Sequence, residues 1–319
     1  MATKASVQTE HLEEFQINYS IMKFHRDLPA TTGFAFGTSS TTATVLGPTI
    51  LNLQNVPTCI TRENHLPSTH ILPWDLTILT TILKTDGVAM VVHRHGGIDE
   101  PRCDGSPFAW FTVDFDHTGP AWTTPTYTYP NDLQPPGNIL YHDHALGMSR
   151  VNLVASLFGD PSAEGSLILP SDSFNWLLMI FDRSFNKDCL LYMIATQVHP
   201  EYIVDANIVN GMAWLFMNVK PRKYRFQIAN VGNAQYSHLS LSNSLNFTQI
   251  ASDCSYLPEP TAPSSIEIWN IINLTQHDHP MHLHLAIFQA IEQSGLVNVD
   301  QFTTCMNSTY NPIKCNTNS

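Results

Sequence analysis

Three times in this chain two histidines stand one residue apart: His93-Arg94-His95, His142-Asp143-His144 and His282-Leu283-His284. On a β-strand, residues i and i+2 project from the same face. Each pair therefore aims two imidazoles into one small volume and turns the residue between them away. Imidazole suits Cu, Zn, Fe and Ni. One such pair is an ordinary surface or core feature. Three of them, with His279 just ahead of the last, gather seven of the 15 histidines into compact clusters. Two clusters adjoin apolar runs of β character, Val88-Ala89-Met90-Val91-Val92 before the first and Leu285-Ala286-Ile287-Phe288 after the last. The pattern predicts a β-rich chain that brings these segments to a shared polynuclear metal site.

Composition agrees. Charged residues make up 13%, hydrophobic ones 43%, and there are 21 prolines, which favours strands and ordered loops over long helices. A length of 319 residues allows two or three domains. The net charge of −12 argues against a nucleic-acid partner and is compatible with drawing in cations. No apolar run is long enough to form a transmembrane segment. Residues Met1 to Gln16 are polar and lack the apolar centre of a signal peptide. Sequons at Asn18, Asn246, Asn273 and Asn307 point instead to export. The six cysteines form no CxxC pair; Cys305 and Cys315 are close enough for a local disulfide or are two free thiols.

Along the chain, Phe24 to Thr41 reads as loop, Thr42 to Leu46 and Thr49 to Leu51 as strands, and Gly47-Pro48 as the turn between them. Val88 to His95 is the first strong strand, and Asn138 to His144 a short strand into the second histidine pair. Gly119 to Gly137 is too rich in proline for helix. Ser149 to Phe158 reads as a short helix and Ser166 to Pro170 as a closing strand. A boundary falls near Pro170-Ser171-Asp172, after which Leu177 to Phe181 opens a second set of strands. Asn210-Gly211 marks a hairpin turn. Lys223 to Ala229 alternates as a half-buried strand does. Leu239 to Leu241, Phe247 to Ile250 and Ser264 to Asn273 read as further strands. Short strands between turn signals predict β-sandwiches.

The three histidine motifs resemble three of the four copper motifs of multicopper oxidases. Ser106-Pro107-Phe108-Ala109-Trp110-Phe111, Tyr127-Thr128-Tyr129-Pro130-Asn131 and Ala145-Leu146-Gly147-Met148-Ser149-Arg150-Val151-Asn152 are similar to the branch that holds the bacterial spore-coat laccase, the bilirubin oxidases and the plant LOW PHOSPHATE ROOT ferroxidases. Lys220 to Phe226 and Ile272 to Thr275 fit the same branch. The resemblance implies an all-β fold of cupredoxin-like Greek-key sandwiches: a near-complete first domain over 1–170, a partial second over 171–260 and a fragment of a third over 261–319. It implies copper as cofactor. His93 and His282 would ligate the type 2 copper, His95, His142, His144 and His284 the type 3 pair, and His279 the type 1 copper. Asp104 matches an acidic residue that assists proton delivery; its other reading is a loop-capping carboxylate. The partners implied are O2 and Fe(II), or a small phenolic or tetrapyrrole reductant. The implied location is the secretory pathway or cell exterior.

The family's fourth motif, His-Cys-His, has no counterpart, because no cysteine here is flanked by histidine. Relative to the family, a deletion near Pro260-Thr261 and a stop at Ser319 are expected. Without that cysteine there is no thiolate for type 1 copper, two type 3 ligands are gone, and electron entry is severed. Arg94 stands where the family carries an apolar residue; on a strand it would point away from the metal and need solvent or a carboxylate. A copper oxidase with impaired turnover is the reading favoured here. A non-catalytic copper-binding remnant is the main alternative. A zinc hydrolase would need a motif such as HExxH, which is absent.

Overall fold

The structure is a computed structural model. It describes residues 12–74, 87–155, 158–163, 174–193, 204–233, 235–252, 254–256, 268–275, 278–288 and 290–315. The chain divides into one unit of Met1–Leu257 with His284–Ile287, and a second of Pro258–Leu283 with Phe288–Ser319.

In the first unit, β1 (Leu12–Met22) lies between β2 (Thr31–Gly37) and β4 (Thr58–His65), with β6 (Thr126–Tyr129) beyond β4. A second four-stranded sheet runs in the order β3 (Gly47–Asn52), β8 (Phe158–Ala163), β7 (Leu140–Asp143), β5 (Val92–His95). The pairs β1–β4 and β3–β8 are parallel; the remaining pairs of these two sheets are antiparallel. The two sheets share one core. Ile17, Phe34, Phe36, Ile60 and Tyr127 from the first meet Val92 and Tyr141 from the second, all buried. The rings of Phe36 and Tyr141 meet edge-on at 5.3 Å between centroids. A short helix, α1 (Ser149–Val154), packs Val151 and Val154 into the same cluster.

A further sheet is built on β9 (Asn175–Phe185). It pairs with β10 (Leu191–Tyr192), β11 (Ala206–Val209) and, in parallel, β13 (Arg225–Asn230), and β11 pairs with β12 (Met212–Ala213). The β11–β12 turn is Asn210-Gly211, with φ of 49° and 82°, the left-handed pair that a tight hairpin requires. A small ladder joins β14 (Ala251–Ser252) to β15 (Ser255–Tyr256). In the second unit, α2 (Val299–Thr309) and α3 (Pro312–Cys315) are joined by a Cys305–Cys315 disulfide. No helix of the described residues is long and apolar enough to cross a membrane.

Several sequence expectations need correction. Thr31–Gly37 is strand rather than loop, because Phe34 and Phe36 lie fully buried against the neighbouring sheet. The third strand begins at Gly47 and includes Pro48, and only Thr44 of the preceding run makes a bridge. Residues 239–241, 247–250 and 268–273 form no strand, and most of them are exposed; without a partner strand an apolar run has no ladder to join. Leu285–Phe288 is likewise irregular. The run Ser166 to Pro170 lies outside the described residues.

Candidate metal centre

The centre grows from the β5–β7 ladder. His93 stands opposite His142, Arg94 opposite Tyr141 and Val92 opposite Asp143. Side chains alternate along each strand, so His93, His95 and His142 share a face. His144, just past β7, joins them, held by its backbone N–H donating to Val91 O at 2.8 Å. Ring centroids lie 5.3 Å apart for His93–His142, 5.0 Å for His93–His144, 5.6 Å for His95–His142 and 5.6 Å for His142–His144. His284 brings a fifth ring, stacked on His93 at 4.2 Å and edge-on to His144 at 5.0 Å.

Asp104 locks two of these rings. The Nδ1–H of His93 donates to its backbone carbonyl, and the Nδ1–H of His284 donates to its Oδ2 at 2.7 Å. His142 Nδ1–H donates to the Asp143 carbonyl at 2.8 Å. In all three rings Nε2 is thereby left as the lone-pair nitrogen. His93, Asp104 and His284 place one ligand atom each within 4.8 Å of one another. Burial pushes the Asp104 carboxyl up, but hydrogen bonds from His93 and His284 outweigh it and hold the group below its usual range. Gly105, at φ +80°, lets this loop close on β5, where a Cβ would sit 2.2 Å from Val92 O.

Behind the histidine face the alternate residues form a support. Asp143 is fully buried and accepts from Val91 N (3.1 Å), Ala145 N (3.3 Å) and Asn152 Nδ2 (2.9 Å). Arg94 is buried too, and finds the expected carboxylate, Asp99, at 3.0 Å. Sequence reasoning had not placed Asn152 or Asp99. It also missed Cys254, whose Sγ lies 3.6 Å from His95 O; nothing in the sequence near Cys254 signals that proximity.

His279 and His282 belong to the second unit. There His279 is exposed, with Nε2 3.0 Å from Thr275 Oγ1, and His282 is half-buried.

A metal fits the residues of the first unit. His144 Nδ1 is buried and has no hydrogen-bond partner among the described residues, as a ligating nitrogen would be before it meets its ion. Burial lowers the His144 pKa to about 4 and that of His142 well below the ordinary value. Both rings are therefore neutral at pH 7, the state that binds metal. A soft-to-borderline, all-imidazole donor set favours copper or zinc over Mg or Ca.

Comparison with known proteins narrows this choice. A family model described as "Multicopper oxidase" matches residues 224–317. "Multicopper oxidase LPR1 homolog 1" of Oryza sativa subsp. japonica is 38% identical over 426 aligned positions, which cover 92% of this chain and 73% of the rice protein. The chain belongs to the multicopper oxidase family. The family's members are copper-dependent oxidoreductases, and an imidazole cluster of this kind is chemically suited to copper. The rice alignment has more positions than the chain has residues, so within the matched span the rice multicopper oxidase carries segments this chain lacks. A laccase of Bacillus subtilis (strain 168) is 38% identical over 265 residues, 77% of this chain and 50% of the laccase. Among solved structures, the McoA multicopper oxidase of Aquifex aeolicus superposes with a TM-score of 0.54 at 17% identity, over 74% of this chain and 47% of McoA. That likeness is one of fold, and the expected all-β, cupredoxin-like architecture holds. The chain spans about half the length of the laccase and of McoA.

Proposed function

We propose that this chain carries the imidazole scaffold of a multicopper-oxidase trinuclear site. The protein is a copper-dependent oxidoreductase that couples oxidation of a reductant, Fe(II) in the favoured reading, to reduction of O2 to water. The convergence of His93, His95, His142, His144 and His284 around Asp104 supports this most directly. His93 would serve the type 2 copper together with His282. His95, His142, His144 and His284 would serve the type 3 pair, and His279 the type 1 position. Copper bound there supplies reversible one-electron chemistry. The protein's part is to hold the rings neutral, fix their tautomers through Asp104 and the Asp143 carbonyl, and keep Asp104 where a proton can pass between its carboxyl and the cluster. Family likeness to plant proteins favours Fe(II); likeness to laccases keeps phenols or tetrapyrroles as the second class of reductant. It also supports the secretory pathway as location and the division into cupredoxin parts at 1–170, 171–260 and 261–319.

The polypeptide itself is expected to turn over little. None of its cysteines is flanked by histidine, and Cys305 is engaged with Cys315. These 319 residues by themselves therefore supply no blue-copper thiolate of the His-Cys-His kind to admit electrons. The deciding experiment is copper stoichiometry with visible and EPR spectra on the purified chain, followed by ferroxidase assay. Bound copper without an intense blue thiolate band, and no rate above a His279→Ala control, is the expected result. A blue band with a clear ferroxidase rate would restore full activity to this chain. Failure to bind copper at all would remove the proposed function.

A further inference from the structure

We infer that the first unit has a binding site for a small, protonated oxyanion on the reverse side of the histidine strands. Arg94 lies between His93 and His95 and points away from them, its guanidinium 4.9 Å from the Tyr129 ring centroid. Arg62 reaches the same aromatic pair from the facing sheet: its Nη2 lies 3.4 Å from Tyr129 Oη, and its guanidinium 5.9 Å from the Tyr141 ring. Arg62 is 1% exposed and Arg94 6%. Both line a cavity of about 60 Å³ whose wall also includes Leu53 and Gln54, exposed residues that give it a mouth.

The donors and acceptors of the wall define what fits. Guanidinium forks match oxyanions in a plane, and they attract them most strongly where water is excluded. Asp99 engages one nitrogen of Arg94. Asn131 adds a requirement. Its Nδ2 donates to Val56 O at 2.8 Å and to Thr58 Oγ1 at 3.1 Å, which fixes the amide orientation. Its Oδ1 is buried and has no hydrogen-bond partner among the described residues. A cavity lined by two guanidinium side chains and by an asparagine whose Oδ1 has no partner among the described residues is complementary to an anion that carries its own O–H, such as hydrogen phosphate or hydrogen carbonate. Sulfate and acetate offer the charge without that proton.

The test is thermal unfolding of the whole chain at constant ionic strength in chloride, phosphate, hydrogen carbonate, sulfate and acetate. Phosphate or hydrogen carbonate should raise the midpoint by about 2–4 °C over chloride, with sulfate and acetate giving less. In Arg94→Leu that rise should vanish while near-UV circular dichroism stays native; Arg94→Lys should keep part of it. A second readout needs no variant: the ³¹P line of inorganic phosphate should broaden on adding the wild-type chain and sharpen again with hydrogen carbonate. Equal melting in all five salts, an undiminished rise in Arg94→Leu, or an unbroadened ³¹P line would overturn the site and leave Arg94 a buried charge held by Asp99 and Tyr129 alone. A rise as large in sulfate as in phosphate would overturn the role given to Asn131.

Discussion

A neutral imidazole binds metal and an imidazolium does not, so the fate of single protons governs this cluster. Asp104 shows how. Its carbonyl and carboxylate take the Nδ1 protons of His93 and His284 and leave both Nε2 lone pairs facing the cluster. Removing such an outer partner typically costs 10–100-fold in metal affinity. Asp104→Ala should therefore weaken copper retention by about that factor, measured by competition with a chelator of known affinity, while the far-UV spectrum is unchanged. Another histidine, away from the metal face, makes stability depend on pH. His70 packs edge-on against Phe34 at 4.9 Å, and burial lowers its pKa to about 4. The unfolded chain takes up this proton near pH 6.5 and the folded chain only near 4, so folded stability is full above pH 6.5 and falls as the pH drops from 6.5 toward 4. Urea midpoints at pH 7 and pH 5 should differ more in the wild type than in His70→Gln; equal differences would contradict the assignment.

At the scale of elements, the two faces of β7 do different work. One presents imidazoles; the other buries Asp143, which ties β7 to Val91 and, through Asn152, to α1. Asn152 Nδ2 also donates to Ala89 O at 3.1 Å. Asn152→Ala would leave a buried carboxylate short of a donor, at a cost of about 1–3 kcal/mol. Equilibrium urea unfolding should show it as a lower midpoint with unchanged slope. How far elements were legible in the sequence follows the same physics. The β7 strand and the Asn210-Gly211 hairpin were readable because i, i+2 histidines and a left-handed turn pair leave local marks. β2 was not, since Thr31–Gly37 is made strand by the sheet it joins rather than by its own short, glycine-bearing run. The apolar runs at 247–250 and 268–273 misled for the converse reason: their β propensity is real, but they have no ladder here.

For the molecule as a whole, a metal shared by these rings would be part of the stability. The first sandwich has its own core, but five imidazoles gathered on one face would gain their strongest common partner from a bound copper. An ion that binds the folded chain alone raises stability by RT ln(1 + [L]/Kd), about 2.7 kcal/mol at a hundredfold excess over Kd. Copper should thus raise the melting temperature, and a chelator should return it; identical melting with and without copper would mean the rings do not share an ion. Family membership was legible from motifs alone, because ligand spacing is a local signature. The ring-to-ring distances were not, since His284 reaches His93 only through the tertiary fold. Asp99 as partner of Arg94 was foreseen in kind, a carboxylate, but not by position.

The pairing of β5 with β7 has one more consequence. His93 faces His142 and Arg94 faces Tyr141. Because side chains alternate, a slip of either strand by one residue would turn its histidines inward and swing Arg94 or Asp143 to the copper side. A cation is repelled by Arg94, and Asp143 alone cannot replace two rings. Copper held as proposed would therefore discriminate between the two pairings and favour only the observed one, so that metal affinity and strand alignment would be read out together.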